Sequence, residues 1–488
     1  MLVILNRWRP VVFCSFLAFL FGSLLLATSF LYENWFPLDS AIFQIIGKGW
    51  VEEKIPYVDL WDQKGPLIYF INAFGYWLTG NQTGIFFIEI FMFAWSFFLI
   101  FLFYRRWYNS LWATMLLVVT MFHLSQIVED GNLVEEYILP LLLLAFYSIW
   151  NWAKNTAKGE ITEHAPKFAF LYGIILSASL LTRLTNAIGV CLASCIILFY
   201  LVYFKRWRNI VDNVLAFVLG FLVLTLPFIA YFYYNNGLEE MIYATLIFNF
   251  EYVNNTFHEP ITWYAAISTL LAYVGTYGLS FISLLLIFVD KKYRILHTMW
   301  LLISSVTLFY FLNTFLYGHY AVIAVPYFSI MLVEYKRLYD LYSASRIECV
   351  LIKVLAVVFI FVVTTNGIFQ IYQTLENRKT LEFSNKDFEN EILSKIGEDR
   401  TELVCYNMSP SYYLYNQITP SCRFFALQSW YASFSSSVQP MIIESFKNNL
   451  PQYILVNYFP QKTLIDGLLE DKYEQVYRTS LGVLYKKK

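Results

Sequence analysis

The chain has 488 residues, of which 58% are hydrophobic, 20% aromatic and only 14% charged, and its mean hydropathy is +0.53. Soluble globular proteins carry about 25% charged residues, so this composition excludes an ordinary soluble protein and predicts a multi-pass α-helical membrane protein. The formal net charge of −1 comes without a basic patch, and no nucleic-acid partner is predicted.

The first apolar run covers residues 11–31 and follows Arg7 and Arg9. No small-residue cleavage site follows it, which predicts a retained span rather than a cleaved signal peptide. Basic clusters mark cytoplasmic ends by the positive-inside rule, so the N-terminus is predicted to be cytoplasmic. Residues 33–65 then form an external loop. Residues 66–79 are apolar but too few for a bilayer that needs about 20, and are predicted as an interfacial helix.

The later apolar runs follow the same rule, and a run with basic residues at both ends must cross an even number of times. Single spans are predicted at 84–103, 112–128, 137–152 and 350–372. Pairs of spans are predicted within 168–204, where residues 181–186 form the external turn, and on either side of the external segments 235–262 and 317–320. The total is about eleven spans, with the C-terminus outside. The fold class is therefore an all-α polytopic membrane protein.

The last part of the chain, residues 376–488, is more polar and carries short β-like runs at 403–406, 453–456 and 482–485. It is predicted as a small external α/β domain that follows a membrane module of residues 1–375. Cys405 and Cys422 both lie in this domain. An oxidising compartment would allow them to pair, and the sequence leaves that open.

Two polar positions in the first external loop stand next to predicted helix starts. Asp39 precedes an apolar helix-like stretch, so it is either an N-cap or a carboxylate that acts as a general base at the membrane boundary. Lys64 precedes Gly65 and Pro66, where a helix begins. A cation beside free helix amides suits a phosphate, and the alternative is a lysine that snorkels to the interface.

Arg183 lies in the turn between two short spans, which places it below the membrane surface. A cation at such depth costs roughly 2.5–3.5 kcal/mol unless it is paired or hydrated. Arg183 therefore either lines a cavity or pairs with a nearby glutamate. His319 lies in the turn between the ninth and tenth predicted spans, where it is either a packed turn residue or a functional group.

The second external loop is rich in acidic residues: Glu129, Asp130, Glu135 and Glu136. They could supply a second carboxylate, hold a metal together with Asp39, or be solvated. No His/Cys metal spacing, nucleotide loop or hydrolase motif occurs. No cofactor or metal site is assigned, and a divalent metal is left open.

The order of these motifs along the chain, and their predicted position on the outer side of the membrane, resemble those of the GT-C superfamily of integral-membrane glycosyltransferases. The resemblance is to the branch of the protein O-mannosyltransferases and the lipid A aminoarabinose transferase. It is carried by the acidic first loop, the segment Tyr-x6-Lys-x-Pro-Leu-x-Tyr from Tyr57 to Tyr69, the acidic second loop, the short basic hairpin, and His319-Tyr320 followed by Pro326. Two departures are Ser40, where the O-mannosyltransferases have a second acid, and Gly65, which replaces a proline.

The resemblance implies transfer of a sugar from a polyprenyl-phosphate donor to a glycan, lipid or protein acceptor on the outer face of a bacterial inner membrane. The C-terminal domain would then be periplasmic. The implied site residues are Asp39, Glu136 and Asp130 for catalysis, Lys64, Arg183, His319 and Tyr320 for the donor phosphate, and Tyr57, Asp59 and Asp62 for substrate.

Three other functions remain open at this point. A flippase or transporter would place ionisable residues near mid-bilayer on interrupted helices, whereas here they collect at one face. A polysaccharide polymerase or ligase would use the same lipid-linked sugars. A structural scaffold would leave Arg183 unexplained.

Overall fold

The computed structural model describes residues 2–32, 35–159, 163–254, 269–312, 317–342, 346–396, 402–457, 463–479 and 482–488. It divides into two compact units. Unit 1 comprises Met1–Leu26, Ile88–Leu226 and Pro260–Leu375, and unit 2 comprises Ala27–Phe87, Pro227–Glu259 and Glu376–Lys488. The division into a membrane module and an external domain at residue 375 remains a proposal.

Long apolar runs form the helices up to residue 396, because a helix satisfies every backbone polar group without water. These helices are Leu2–Leu25, Leu38–Val51, Pro66–Thr79, Thr83–Arg105, Ser110–Ser125, Val134–Ala157, Pro166–Leu180, Ile188–Tyr203, Trp207–Tyr234, Leu238–Ile242, Phe248–Asn254, Val274–Val289, Arg294–Leu312, Val325–Tyr342 and Arg346–Ile396. Each segment predicted to cross the membrane overlaps one of them. Part of the predicted external segment, residues 255–262, lies outside the described residues.

Within the described ranges, six helices are long and apolar enough to cross a bilayer by length and composition. They are Trp8–Leu25, Thr83–Arg105, Leu184–Tyr203, Trp207–Tyr234, Lys291–Leu312 and Ile352–Arg378. Three shorter apolar helices are Ser110–Ser125, Pro166–Leu180 and Val274–Val289. The chain is a multi-pass integral membrane protein, while the count of about eleven spans stays a prediction.

Two glycines bring helices into close contact in unit 1. A Cβ on Gly173 would lie 2.0 Å from the carbonyl oxygen of Phe217, and a Cβ on Gly220 would lie 2.0 Å from that of Phe170. Only glycine fits at either position. Small residues of this kind let membrane helices pack backbone to backbone, where dispersion replaces the missing hydrophobic driving force.

A buried ionic cluster joins three helices of unit 1 with Asp290, the C-cap residue of the helix Val274–Val289. His297 Nε2 lies 3.4 Å from Asp290 Oδ2, and its Nδ1 lies 3.5 Å from Glu334 Oε2. Trp150 donates to Glu334 Oε1 at 2.8 Å, and Arg337 Nε donates to Asp290. The last contact makes Arg337 an ion-pair partner in the packed interior of unit 1.

Arg337→Ala is expected to destabilise unit 1 by roughly 3–5 kcal/mol, because it leaves the carboxylate of Asp290 buried without its cation. The neighbouring Lys336 provides a matched control. It forms an i,i+4 pair with Asp340 whose partners are more exposed, and such pairs contribute about 0–1 kcal/mol. Thermal unfolding in detergent measures both variants. Equal midpoints for the two would contradict the role of the cluster.

The C-terminal part of unit 2 contains a four-stranded sheet of Leu403–Tyr406 (β1), Tyr453–Val456 (β2), Tyr473–Arg478 (β3) and Val483–Lys487 (β4). The strand order is β1-β2-β4-β3, and β1 pairs parallel to β2 while the other pairs are antiparallel. The helices of this part are Ser411–Tyr415, Gln428–Phe434, Val438–Asn449 and Asp466–Lys472.

The burial of each strand explains which were predicted. All four residues of β1 and of β2 are buried, so both read as short continuous apolar runs. Strand β3 is an edge strand that is mostly exposed and polar, so its residues show no apolar pattern that would predict a strand. Cys405 and Cys422, whose pairing the sequence left open, are buried free thiols.

Candidate functional site

Lys64 stands at the start of the helix Pro66–Thr79 in unit 2. Gly65 is the N-cap and Pro66 occupies the first helical position, so the predicted helix and its start are confirmed. Tyr57 adopts the left-handed conformation with φ 69°, and its hydroxyl donates to the carbonyl of Lys64 at 2.7 Å. That hydrogen bond fixes the backbone from which the Lys64 side chain extends.

Asp62 anchors the same loop through buried hydrogen bonds. Its side chain is buried, and its Oδ1 accepts from the Tyr431 hydroxyl at 2.7 Å while its Oδ2 accepts from the Tyr69 hydroxyl at 2.6 Å. The amide of Lys64 also donates to Oδ2 at 3.3 Å. Burial and then the charge of Asp62 raise the pKa of both tyrosines well above 10.0. Both hydroxyls therefore stay protonated and remain donors.

Tyr57 and Asp62 were predicted to bind substrate. In the structure Tyr57 is 0% exposed and Asp62 is 4% exposed. Their polar atoms already have partners within the protein. Their direct effect is on the position of Lys64.

The residues on either side of Asp62 are held by other segments of unit 2. The Trp61 ring packs against Phe248, Phe424 and Tyr431, at centroid distances of 5.2, 5.1 and 4.6 Å. Asn249 donates to the carbonyl of Gln63 at 2.9 Å. It follows a π-helical turn, Tyr243–Ile247, a feature that often occurs at functional sites.

Asp39 lies in the first turn of the helix Leu38–Val51, within the predicted loop 33–65. The interpretation of Asp39 as the N-cap is wrong, because Pro37 occupies that position and the helix begins at Leu38. The side chain is partly exposed. Its charge contributes to the raised pKa of Tyr431, after burial and Asp62. Asp39 is thus within electrostatic reach of the hydroxyl that holds Asp62 and, through it, Lys64.

Asp59 has a different setting from Asp62. Its Oδ2 accepts from the backbone amide of Ile55 at 2.7 Å, which closes a short turn. The residue also lines a polar cleft in unit 2, so a substrate group could reach it.

In unit 1, the structure brings Arg183, Tyr320 and His319 together. The Arg183 guanidinium donates to Glu135 Oε1 at 3.1 Å, and its Cζ lies 3.0 Å from the centroid of the Tyr320 ring. The His319 ring lies edge-on to Tyr320 at 4.6 Å. The sequence named both a cavity-lining role and a glutamate partner for Arg183, and the partner is Glu135.

His319 is the second residue of a seven-residue 3₁₀ helix, Gly318–Ala324, and does not lie in a tight turn. Glu129 binds its start: His319 Nδ1 lies 2.9 Å from Oε2, and the His319 amide donates to Oε1 at 3.2 Å. Partial burial raises the pKa of Glu129, but the hydrogen bonds and charge of His319 outweigh burial and hold that pKa below 4.5.

Because the folded-state pKa of Glu129 is depressed, this contact contributes stability above pH 4.5 and loses it as the pH falls through the lowered value. The Glu129 side chain is 43% exposed, so the contribution is small. NMR titration of labelled glutamate should give a midpoint below 4.5 for Glu129. His319→Ala should move that midpoint upward, and an unchanged midpoint would contradict the pairing.

Glu135 and Glu136 are not solvated loop residues as one interpretation of the sequence had them. Both lie in the first turn of the helix Val134–Ala157, and they are 0% and 1% exposed. Glu136 is close to Glu89, another buried carboxyl group. The catalytic role of Glu136 stays a prediction. Asp130 is partly exposed in the loop before that helix.

Within the described residues, no group of three or more His, Cys, Asp or Glu side chains is placed to hold a metal ion. The residues that the sequence did not single out are Tyr431, Tyr69 as an Asp62 partner, and Trp61. Their only signal was aromatic character, which this chain has throughout.

No protein-family model matches this sequence, and no curated protein matches it. The fold is similar to the crystal structure of ArnT from Cupriavidus metallidurans bound to undecaprenyl phosphate. The TM-score is 0.56 at 11% identity, over 98% of each chain. The Archaeoglobus fulgidus oligosaccharyltransferase, in complex with Zn and sulfate, matches with a TM-score of 0.44 at 11% identity. That match covers 97% of this chain and 73% of the other. The GT-C fold predicted from the motifs is confirmed.

Proposed function

We propose that this protein is a membrane glycosyltransferase that moves a sugar from a polyprenyl-phosphate donor to an acceptor hydroxyl. The observation that carries the proposal is the loop of residues 57–64. A buried network fixes its backbone, and Lys64 stands where the helix Pro66–Thr79 begins. A cation beside free helix amides is an anion site. The fold shared with ArnT, which was crystallised with undecaprenyl phosphate, agrees with a lipid phosphate as that anion.

In the proposed reaction, the Asp39 carboxylate accepts the proton of the acceptor hydroxyl while that oxygen attacks the anomeric carbon of the sugar. The bond between the anomeric carbon and the phosphate oxygen breaks, and the configuration inverts. Polyprenyl phosphate leaves with the bonding electron pair. Lys64 stabilises the charge that develops on this phosphate.

The proposal gives Arg183, His319 and Tyr320 a part in binding the donor. Arg183 presents a planar guanidinium suited to phosphate oxygens, and the Tyr320 ring holds it in place. His319 is oriented by Glu129 through its Nδ1. Asp130 keeps its assignment to catalysis and Asp59 its assignment to a substrate contact, and both are partly exposed.

Incubation of the purified protein with a radiolabelled polyprenyl-phosphate hexose and a panel of glycan, lipid and peptide acceptors tests the function. We expect transfer to one acceptor class with inversion at the anomeric carbon, and loss of transfer in Lys64→Ala. Retention of configuration would contradict the direct displacement. Absence of both donor binding and transfer would contradict the assignment as a whole.

Tyr431→Phe tests whether the hydrogen bond from Tyr431 to Asp62 positions the loop that carries Lys64. It removes one donor to the buried Asp62, at a cost of about 1–3 kcal/mol. We expect the KM for the donor to rise several-fold and kcat to fall with it, because a misplaced Lys64 binds the donor phosphate less well and stabilises the leaving phosphate less well.

Tyr473→Phe is the matched control. Tyr473 is also buried in the C-terminal part of unit 2, and its hydroxyl donates to the carbonyl of Pro451 at 2.8 Å. This variant should lose stability and keep the donor KM. Equal KM values for both variants would show that Tyr431 only stabilises the fold.

A further inference from the structure

Unit 2 contains a polar cleft of about 430 Å³, and one of its lining residues is Asp59, which the proposal above assigns to a substrate contact. Three segments line it: the loop of residues 54–59, residues 421–423, and the helix Val438–Asn449. Its volume falls in the range of about 300–1,000 Å³ that is typical of small-molecule sites.

The face of the helix Val438–Asn449 that lines this cleft is mostly polar. Met441, Glu444, Ser445 and Asn448 line it with helical spacing, and only Met441 among them is apolar. The helix packs its apolar residues, Ile442 among them, elsewhere. Ser445 is 8% exposed, and its hydroxyl has no hydrogen-bond partner among the described residues.

The loop that supplies Lys54, Val58 and Asp59 to the cleft has a strained backbone at two positions that do not line it. Glu53 and Tyr57 both have φ of 69°, in the left-handed region that side chains other than glycine rarely adopt. The Ile55 amide donates to Asp59 and closes a turn that contains Tyr57, and Lys54 Nζ donates to the carbonyl of Pro420 at 3.1 Å. Strain of this kind collects at ligand-binding loops when the surroundings enforce it.

The charged side chains that line the cleft balance: Lys54 and Arg423 are positive, and Asp59 and Glu444 are negative. Glu240, which pairs with Arg423, is not part of the lining. A phosphate would need an excess of cations, and a divalent cation would need an excess of carboxylates. A lining that offers both donors and acceptors without net charge matches a neutral ligand with several hydroxyl groups.

We propose that this cleft binds a neutral saccharide unit of the acceptor. The inference rests on the proposed function, since it names the acceptor of that transfer as a glycan or glycolipid. Sugar hydroxyls would donate to Glu444 and Asp59 and accept from Asn448 and Lys54.

The test uses the full-length protein in nanodiscs and saturation-transfer NMR with methyl glycosides of neutral hexoses and N-acetylhexosamines. We expect at least one glycoside to bind, and the Glu444→Ala/Asn448→Ala variant to weaken it by about tenfold or more. Both side chains are exposed, so the variant should fold. Lys447→Ala, on the same helix and also exposed, should leave binding unchanged.

Three results would overturn the inference: no glycoside binds, the double variant binds as well as the wild type, or inorganic phosphate or Ca²⁺ binds instead and depends on the same two residues. Binding of polyprenyl phosphate is measured in parallel with the same variants. If the wild type does not bind polyprenyl phosphate, the proposed transferase function is contradicted. If it binds polyprenyl phosphate but no glycoside, only the proposed role of the cleft is contradicted.

Discussion

Asp39→Asn is expected to abolish sugar transfer while the protein folds and inserts normally. Asparagine has nearly the same shape but cannot accept the proton of the acceptor, and a general base contributes about 10²–10⁴-fold to the rate. Asp39 is partly exposed and Pro37 is the N-cap of its helix. The substitution therefore removes neither a cap nor a fully buried charge. Measurement of kcat at saturating donor checks the prediction.

Two further variants separate catalysis from general charge effects. Asp39→Glu keeps a carboxylate and should retain part of the activity. Glu53→Gln removes an exposed acid from the same region and should leave kcat unchanged. Wild-type kcat in Asp39→Asn would remove Asp39 from the reaction.

Arg183→Ala is expected to lose both stability and donor affinity. The Glu135 side chain is fully buried and pairs with Arg183, so the truncation leaves a buried charge without its partner, at about 3–5 kcal/mol. The contact with the Tyr320 ring is lost as well, at about 0.5–2 kcal/mol. Thermal unfolding and the dissociation constant for polyprenyl phosphate measure the two effects separately.

The double variant Arg183→Ala/Glu135→Gln resolves which effect is functional. Removal of the Glu135 charge should restore much of the stability, because no unpaired ion remains buried. Donor affinity should stay low, by about 10- to 100-fold, if Arg183 contacts the phosphate with a charge-assisted hydrogen bond. Recovery of affinity together with stability would give Arg183 a purely structural role.

The sequence predicted those elements whose signal is local. The helix Pro66–Thr79 was placed at its observed bounds, because proline starts it and the apolar run ends there. The hairpin around Arg183 was placed by its length and its basic flanks, and a 3₁₀ turn, Leu184–Ala187, now lies within it. Strands β1 and β2 were found as buried apolar runs.

Other features depend on burial that the sequence does not display. The sequence placed Glu135 and Glu136 in an external loop, with solvation as one of three open roles, yet both are buried in the first turn of a helix. Strand β3 was missed because an edge strand needs no apolar pattern. In each case tertiary contacts overrode the local signal.

The sequence alone determined that this protein crosses a membrane. It also predicted candidate residues for binding a lipid phosphate. Hydrophobicity, helix length and flanking charge act over about 20 residues, and their free energies can be summed along the chain. Only the tertiary structure decided the partners. Asp62 and Tyr431 are 369 residues apart, and Glu129 and His319 are 190 apart. No spacing rule encodes such pairs, since they form only when the whole chain closes around them.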